Sequence, residues 1–113
     1  MHISIEQNDD VAVVYASGEI DAATCGKLEE SLNKLIGEGQ TAILLDLQEV
    51  PYISSAGLRV ILIATKRMYG SGAFSLCRLQ DSVRGMLEVA GFRHFMNIYE
   101  DMEIAKTALS GSS

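Results

Sequence analysis

Three apolar runs, Val11 to Ala16, Thr41 to Leu47 and Ala73 to Leu79, alternate along the chain with segments whose apolar residues recur every three or four positions. This alternation is the strongest constraint on the fold. A run of five to seven such residues reads as a strand, and the 3.6-residue period reads as a helix with one face against a sheet. Strands and helices in succession lead to a mostly parallel sheet with right-handed crossovers. The start of the chain differs. Ile3 to Glu6 and Val11 to Ala16 are joined by Asn8-Asp9-Asp10, which reads as the turn of a hairpin. The fold class is therefore α/β: a mixed, mostly parallel sheet of about five strands starting with a hairpin, packed with about four helices.

The individual segments support this order. Val11, Val13 and Tyr15 share one face of a strand and Ala12, Val14 and Ala16 the other, so a strand apolar on both faces belongs inside a sheet. Cys25, Leu28, Leu32, Leu35 and Ile36 mark a helix after Asp21 that stops at Gly37-Glu38-Gly39. Ile43-Leu44-Leu45 reads as a central parallel strand closed by Pro51. A second helix runs from about Ala56 to Tyr69 and ends at Gly70-Ser71-Gly72. Asp81 or Ser82 is placed to cap a third, with Val83, Met86, Leu87 and Ala90 inward and Gly91 after its end. Phe95 to Tyr99 reads as the last strand, and Asp101 as the cap of a final helix carrying Met102, Ala105, Ala108 and Leu109. Residues 1–109 make one domain and 110–113 a disordered tail.

Size and charge narrow the function. A chain of 113 residues and 12.2 kDa should fold to a surface of about 6,000 Å², enough for one core without metal or disulfide staples. Its net charge of −6 repels phosphate backbones and anionic lipid heads, so neither nucleic acid nor direct membrane contact is expected. The start, Met-His-Ile-Ser-Ile-Glu, does not read as a signal peptide, and the most apolar stretch, Val60 to Ala64, is far below the ~20 residues of a membrane span. A cytoplasmic location is expected. Cys25 and Cys77 form no Cys-x-x-Cys and read as two reduced, packed thiols.

Signs of catalysis are few. The two histidines are His2, near the chain end, and His94, which reads as a surface residue. There is no HExxH, no zinc spacing, no GxxxxGK[ST] phosphate loop and no dinucleotide fingerprint. No metal, no cofactor and no catalysis of the chain's own are expected.

Two loops remain. In Gly18-Glu19-Ile20-Asp21, Gly18 ends a strand and Asp21 caps the next helix; alternatively Glu19 and Asp21 form an acidic lip at a strand's C-terminal end, where ligands of α/β sheets collect. In Val50 to Leu58, Ser54 and Ser55 stand together at the mouth of the second helix. Capping explains one serine but neither the second nor Gly57, which costs about 1 kcal/mol of helix propensity relative to alanine. A glycine there implies a close approach to the backbone. A hydroxyl at a helix N-terminus is also a favourable place for a phosphate.

Three stretches, Gly18-Glu19-Ile20-Asp21, Leu45-Asp46-Leu47 with Val50, and Tyr52-Ile53-Ser54-Ser55-Ala56-Gly57-Leu58, together resemble the STAS domain, the fold of bacterial anti-sigma factor antagonists (anti-anti-sigma factors). The resemblance extends from about Ile3 to Leu109. It implies that the unmodified protein binds an anti-sigma factor that is also a serine kinase, and so frees a sigma factor. By the same resemblance the kinase phosphorylates Ser55 and ends the binding, and a phosphatase restores it. Asp21 matches the family's partner-contacting aspartate. Ser54 stands where the family usually has aspartate, and is a rival acceptor. Arg59 stands where the family often has glycine; it could pair with a phosphate, face an acidic partner or stay solvated. Glu19, Asp21, Ser54, Ser55, Ala56, Gly57, Leu58 and Arg59 form the implied partner surface. Other STAS domains are unphosphorylated accessory subunits, for example of lipid-transport ATPases, or ligand sensors, which is the alternative reading.

Overall fold

Among the described residues, five strands and four α-helices carry the alternation into a sheet in the computed structural model. They are β1 (His2–Asn8), β2 (Val11–Ser17), α1 (Cys25–Gly37), β3 (Ala42–Glu49), α2 (Ser55–Met68), β4 (Ala73–Cys77), α3 (Asp81–Val89), β5 (Asn97–Tyr99) and α4 (Met102–Ser110). The structure describes residues 1–94 and 96–110, with the backbone alone at Arg93 and Ser110.

The strands lie in the order β1-β2-β3-β4-β5. β1 pairs antiparallel with β2 through the hairpin, and the three later pairings are parallel. Each parallel connection steps to the next strand in the same direction, and right-handed crossovers then put every connecting helix on one face. The core follows that rule. Leu28, Leu32 and Leu35 of α1, Val60, Ile61, Ala64 and Met68 of α2, and Val83 and Leu87 of α3 pack with Ala12, Val14, Ala16, Ile43, Leu45, Leu47 and Leu76. The helix after β5 is not one of these crossovers, and it covers the other face. There Ala105 and Leu109 of α4 pack with Val11, Val13, Ala42, Leu44 and Cys77. Both faces of β2 are thus buried, as its two apolar sets require. The accessible surface is 6052 Å², close to the expected value.

Several boundaries differ from the sequence reading. His2 belongs to β1 and pairs with Ser17. The turn between β1 and β2 narrows to Asp9-Asp10, with Asp9 in the left-handed region at φ 56°. β3 extends to Glu49, while β4 stops at Cys77 because Arg78 turns the chain with φ 55°. Neither Asp81 nor Ser82 caps α3: Gln80 stands at its start with no side-chain cap, Asp81 lies in the first turn, and the Ser82 hydroxyl donates to the Pro51 carbonyl at 3.0 Å. Met86 is half-buried and Ala90 and Ala108 are exposed. His94 lies in a 3-10 turn, Phe92–His94, and the strand starts at Asn97; Phe95 lies outside the described residues. Ser110 ends α4 instead of opening a tail, and residues 111–113 lie outside the described residues. Asp101 does cap α4, accepting from the Ile104 amide at 3.0 Å.

Among the described residues, no helix is long and apolar enough to cross a membrane. Nor do three His, Cys, Asp or Glu side chains there come together to hold a metal ion.

Candidate functional site

The two loops singled out by sequence leave β2 and β3 at their C-terminal ends and are stitched to each other. The Gly18 amide donates to the Glu49 carbonyl at 3.0 Å, with Gly18 at φ 95°. Beyond it the Ile20 amide donates to the Tyr52 carbonyl at 3.0 Å, and the Ser54 amide to the Ile20 carbonyl at 2.8 Å. Ile20 and Ile53 therefore form a parallel bridge outside the named strands, and both side chains are buried.

Gly57 makes that stitch possible. A Cβ at position 57 would lie 2.7 Å from the Cγ2 of Ile20, 2.8 Å from the Cγ2 of Ile53 and 3.1 Å from the Ile20 carbonyl oxygen. These methyls sit on β-branched carbons and cannot swing aside as the end of a long chain could. The close approach implied by the glycine is thus real, and it is made by the neighbouring loop.

The serines diverge in role. Ser54 is the N-cap of α2; its backbone is extended, and its Oγ accepts from the Gly57 amide at 3.3 Å. Its side chain is half-buried. Ser55 is the first residue of the helix and is exposed. Ala56 and Leu58 are half-buried, Gly57 is buried, and Tyr52 and Arg59 are exposed. Arg59 pairs with no carboxylate among the described residues. Leu58 also lines an apolar groove of about 540 Å³ with Gly85, Met86, Val89 and Ala90 of α3.

In the first loop Glu19 is exposed, while Asp21 is turned inward. The Asp21 Oδ1 accepts from the amides of Ala23 and Thr24 at 3.0 and 3.1 Å and from the Thr24 hydroxyl at 3.2 Å. Thr24 completes the knot. Its Oγ1 accepts from the Asp21 amide at 2.9 Å and shares its one proton between the Glu19 carbonyl at 2.8 Å and the Asp21 Oδ1. Asp21 therefore caps a turn before the helix, and α1 itself begins only at Cys25. Thr24 escaped the sequence reading, since Asp21-Ala22-Ala23-Thr24 lacks the Glu or Gln that marks a capping box.

The third motif, Leu45-Asp46-Leu47, serves the scaffold beneath these loops. Asp46 is 3% exposed. Its Oδ2 accepts from the Arg78 Nε at 2.7 Å and its Oδ1 from the Gln48 amide at 3.0 Å. Partial burial alone would lower the Arg78 pKa, but the hydrogen bond to Asp46 and its charge hold it above the usual value. Burial, and next the Asp46 charge, push the Cys77 thiol up to about 12. Cys77 is accordingly a buried neutral thiol, and Cys25 is a free, half-buried one. Nothing in the sequence pairs Asp46 with Arg78, which is 32 residues away in an unusual backbone conformation for a non-glycine residue.

Known proteins share this fold. The STAS domain pattern matches residues 2–105. BtrV of Bordetella bronchiseptica, named as an anti-sigma factor antagonist, is 31% identical over 109 residues, covering 96% of this chain and 94% of its own. The crystal structure of an anti-sigma factor antagonist from Mycobacterium paratuberculosis superposes with a TM-score of 0.91 at 25% identity, over 96% of this chain and 93% of that one. The Bacillus protein SpoIIAA in its phosphorylated form shares the fold, with a TM-score of 0.73 at 16% identity over 95% and 99% of the two chains. The match spans nearly the whole length, and the chain belongs to the STAS domain family, among the bacterial anti-sigma factor antagonists.

Proposed function

We propose that this protein is an anti-sigma factor antagonist whose binding surface is switched by phosphorylation of Ser55. One observation carries the choice of residue: of two adjacent serines, Ser54 spends its oxygen on the Gly57 amide, whereas Ser55 is exposed at the first position of α2. A kinase needs an accessible hydroxyl, and Ser55 offers one without loss of the helix cap.

The proposed partner is an anti-sigma factor that is also a serine kinase. Its docking surface comprises Glu19, Ser55, Leu58 and Arg59 with the apolar groove between α2 and α3. Asp21, Ser54, Ala56 and Gly57 shape this surface from below. Binding there releases the sigma factor. Phosphorylation then transfers the γ-phosphoryl group of ATP to the Ser55 oxygen; the terminal P–O bond of the nucleotide breaks and the hydroxyl proton leaves to a base of the kinase.

The modification adds about −1.5 to −2 charge and three acceptor oxygens. At the start of α2 the first-turn amides and the helix dipole favour that charge, so the fold need not change. SpoIIAA, which shares the fold, has a phosphorylated form, in agreement with this reading. The partner contact suffers instead, because a neutral hydroxyl becomes bulky and anionic near Glu19. A penalty of about 3 kcal/mol lowers affinity more than a hundredfold. A phosphatase would reset the switch, and the chain itself catalyses nothing.

Binding of wild type, Ser55→Ala and Ser55→Asp to the anti-sigma factor tests the proposal. Ser55→Ala should bind like wild type and Ser55→Asp much more weakly. Equal affinity for all three would reject the switch and favour an unphosphorylated accessory or ligand-sensing subunit.

A further inference from the structure

We propose that Arg59 is the intramolecular partner of phosphorylated Ser55, so that phosphorylation removes a cation from the binding surface as well as adding an anion. The inference rests on the reading of Ser55 as the acceptor. Ser55 and Arg59 are four residues apart in α2 and both are exposed. On a helix that spacing places them on one face, with Cβ atoms about 5–6 Å apart. Helical side chains lean toward the N-terminus, so the Arg59 guanidinium extends over the turn that begins at Ser55. Arg59 has no competing carboxylate among the described residues, unlike Arg78, which is held by Asp46, and Arg84, which lies 3.5 Å from Glu100.

The surrounding charges favour the same pairing. α2 has no acidic residue in its first turn, and its cap is the neutral Ser54. The nearby carboxylates are in the first loop. Asp21 is held in the loop by Ala23 and Thr24, and Glu19 is exposed, so both are like charges on the side away from Arg59's own helix. A guanidinium can hold two phosphate oxygens at once, a geometry that lysine cannot reproduce. In the unmodified protein Arg59 is available to an acidic group of the partner. Once Ser55 carries a phosphate, the same side chain turns onto it.

The test installs phosphoserine at position 55 during translation, so it needs no kinase. The second ionisation of the phosphate is then followed by phosphorus NMR as pH is varied, in otherwise wild-type, Arg59→Ala and Arg59→Lys proteins. Pairing with Arg59 favours the dianion, so the wild-type midpoint should lie about 0.15–0.4 pH unit below that of Arg59→Ala. Arg59→Lys should fall between them. The difference should shrink in 1 M salt, where the screening length is about 3 Å. Identical midpoints in wild type and Arg59→Ala would overturn the pairing. The Ser55 switch fails separately, if phosphorylated and unmodified wild type bind the anti-sigma factor equally.

Discussion

The entrances of α1 and α4 are each preceded by an aspartate, whereas α2 is entered through two serines. Asp21 accepts three hydrogen bonds from residues 23 and 24, and Asp101 accepts the Ile104 amide. At α2 the Ser54 hydroxyl takes one amide and brings no charge. The positive end of a helix is stabilised by about 0.3–1 kcal/mol when an anion sits there. The first loop and α4 already have theirs; α2 is left with room for one, beside an exposed hydroxyl that can acquire it. Asp46 extends the contrast: a third acid in the motifs, it is committed to Arg78 inside the scaffold. The acids of this end of the molecule mostly hold structure, and the neutral serine end is where charge can change.

The largest stability effect should come from the buried acid. Asp46→Asn leaves Arg78 without its charge partner and should cost about 2 kcal/mol in urea denaturation, less than the loss of a fully buried pair because Arg78 is 35% exposed. A cost below about 0.5 kcal/mol would remove Asp46 from the scaffold. Gly57→Ala forces a methyl into Ile20 and Ile53 and should cost about 1–2 kcal/mol after the gain in helix propensity is subtracted. If its stability instead rises, the stitch between the loops is looser than described. Asp21→Ala should lose about 1 kcal/mol with its capping bonds, and measurably more at low salt than Ser54→Ala, whose cap is neutral. Equal salt dependence would erase the contrast between the two entrances. Smallest of all, Ser54→Asp should stabilise the unmodified protein by about 0.5 kcal/mol, because the cap is kept and an anion added. No gain would mean that the α2 entrance is not short of negative charge.

Much of this was legible in the sequence. The order of elements followed from apolar periodicity, and the mixed sheet from the short first connection. Ser54, Ser55 and Gly57 stood out because a plain cap needs only one of them. What escaped was set by contacts distant in sequence. Gly57 announced a close neighbour but not that it was Ile20, 37 positions earlier. α1 began later than Asp21 implied because the Asp21–Thr24 knot forms a turn of its own first. The cap expected of Asp81 or Ser82 failed because the Ser82 hydroxyl finds the Pro51 carbonyl instead.

The central claim is that the accessible serine, not the capping one, accepts the phosphate. The direct measurement is the position of the phosphate after the full chain is incubated with the anti-sigma factor kinase and ATP, mapped by tandem mass spectrometry. Phosphate on Ser55 is the result predicted; phosphate on Ser54 with none on Ser55 would contradict it.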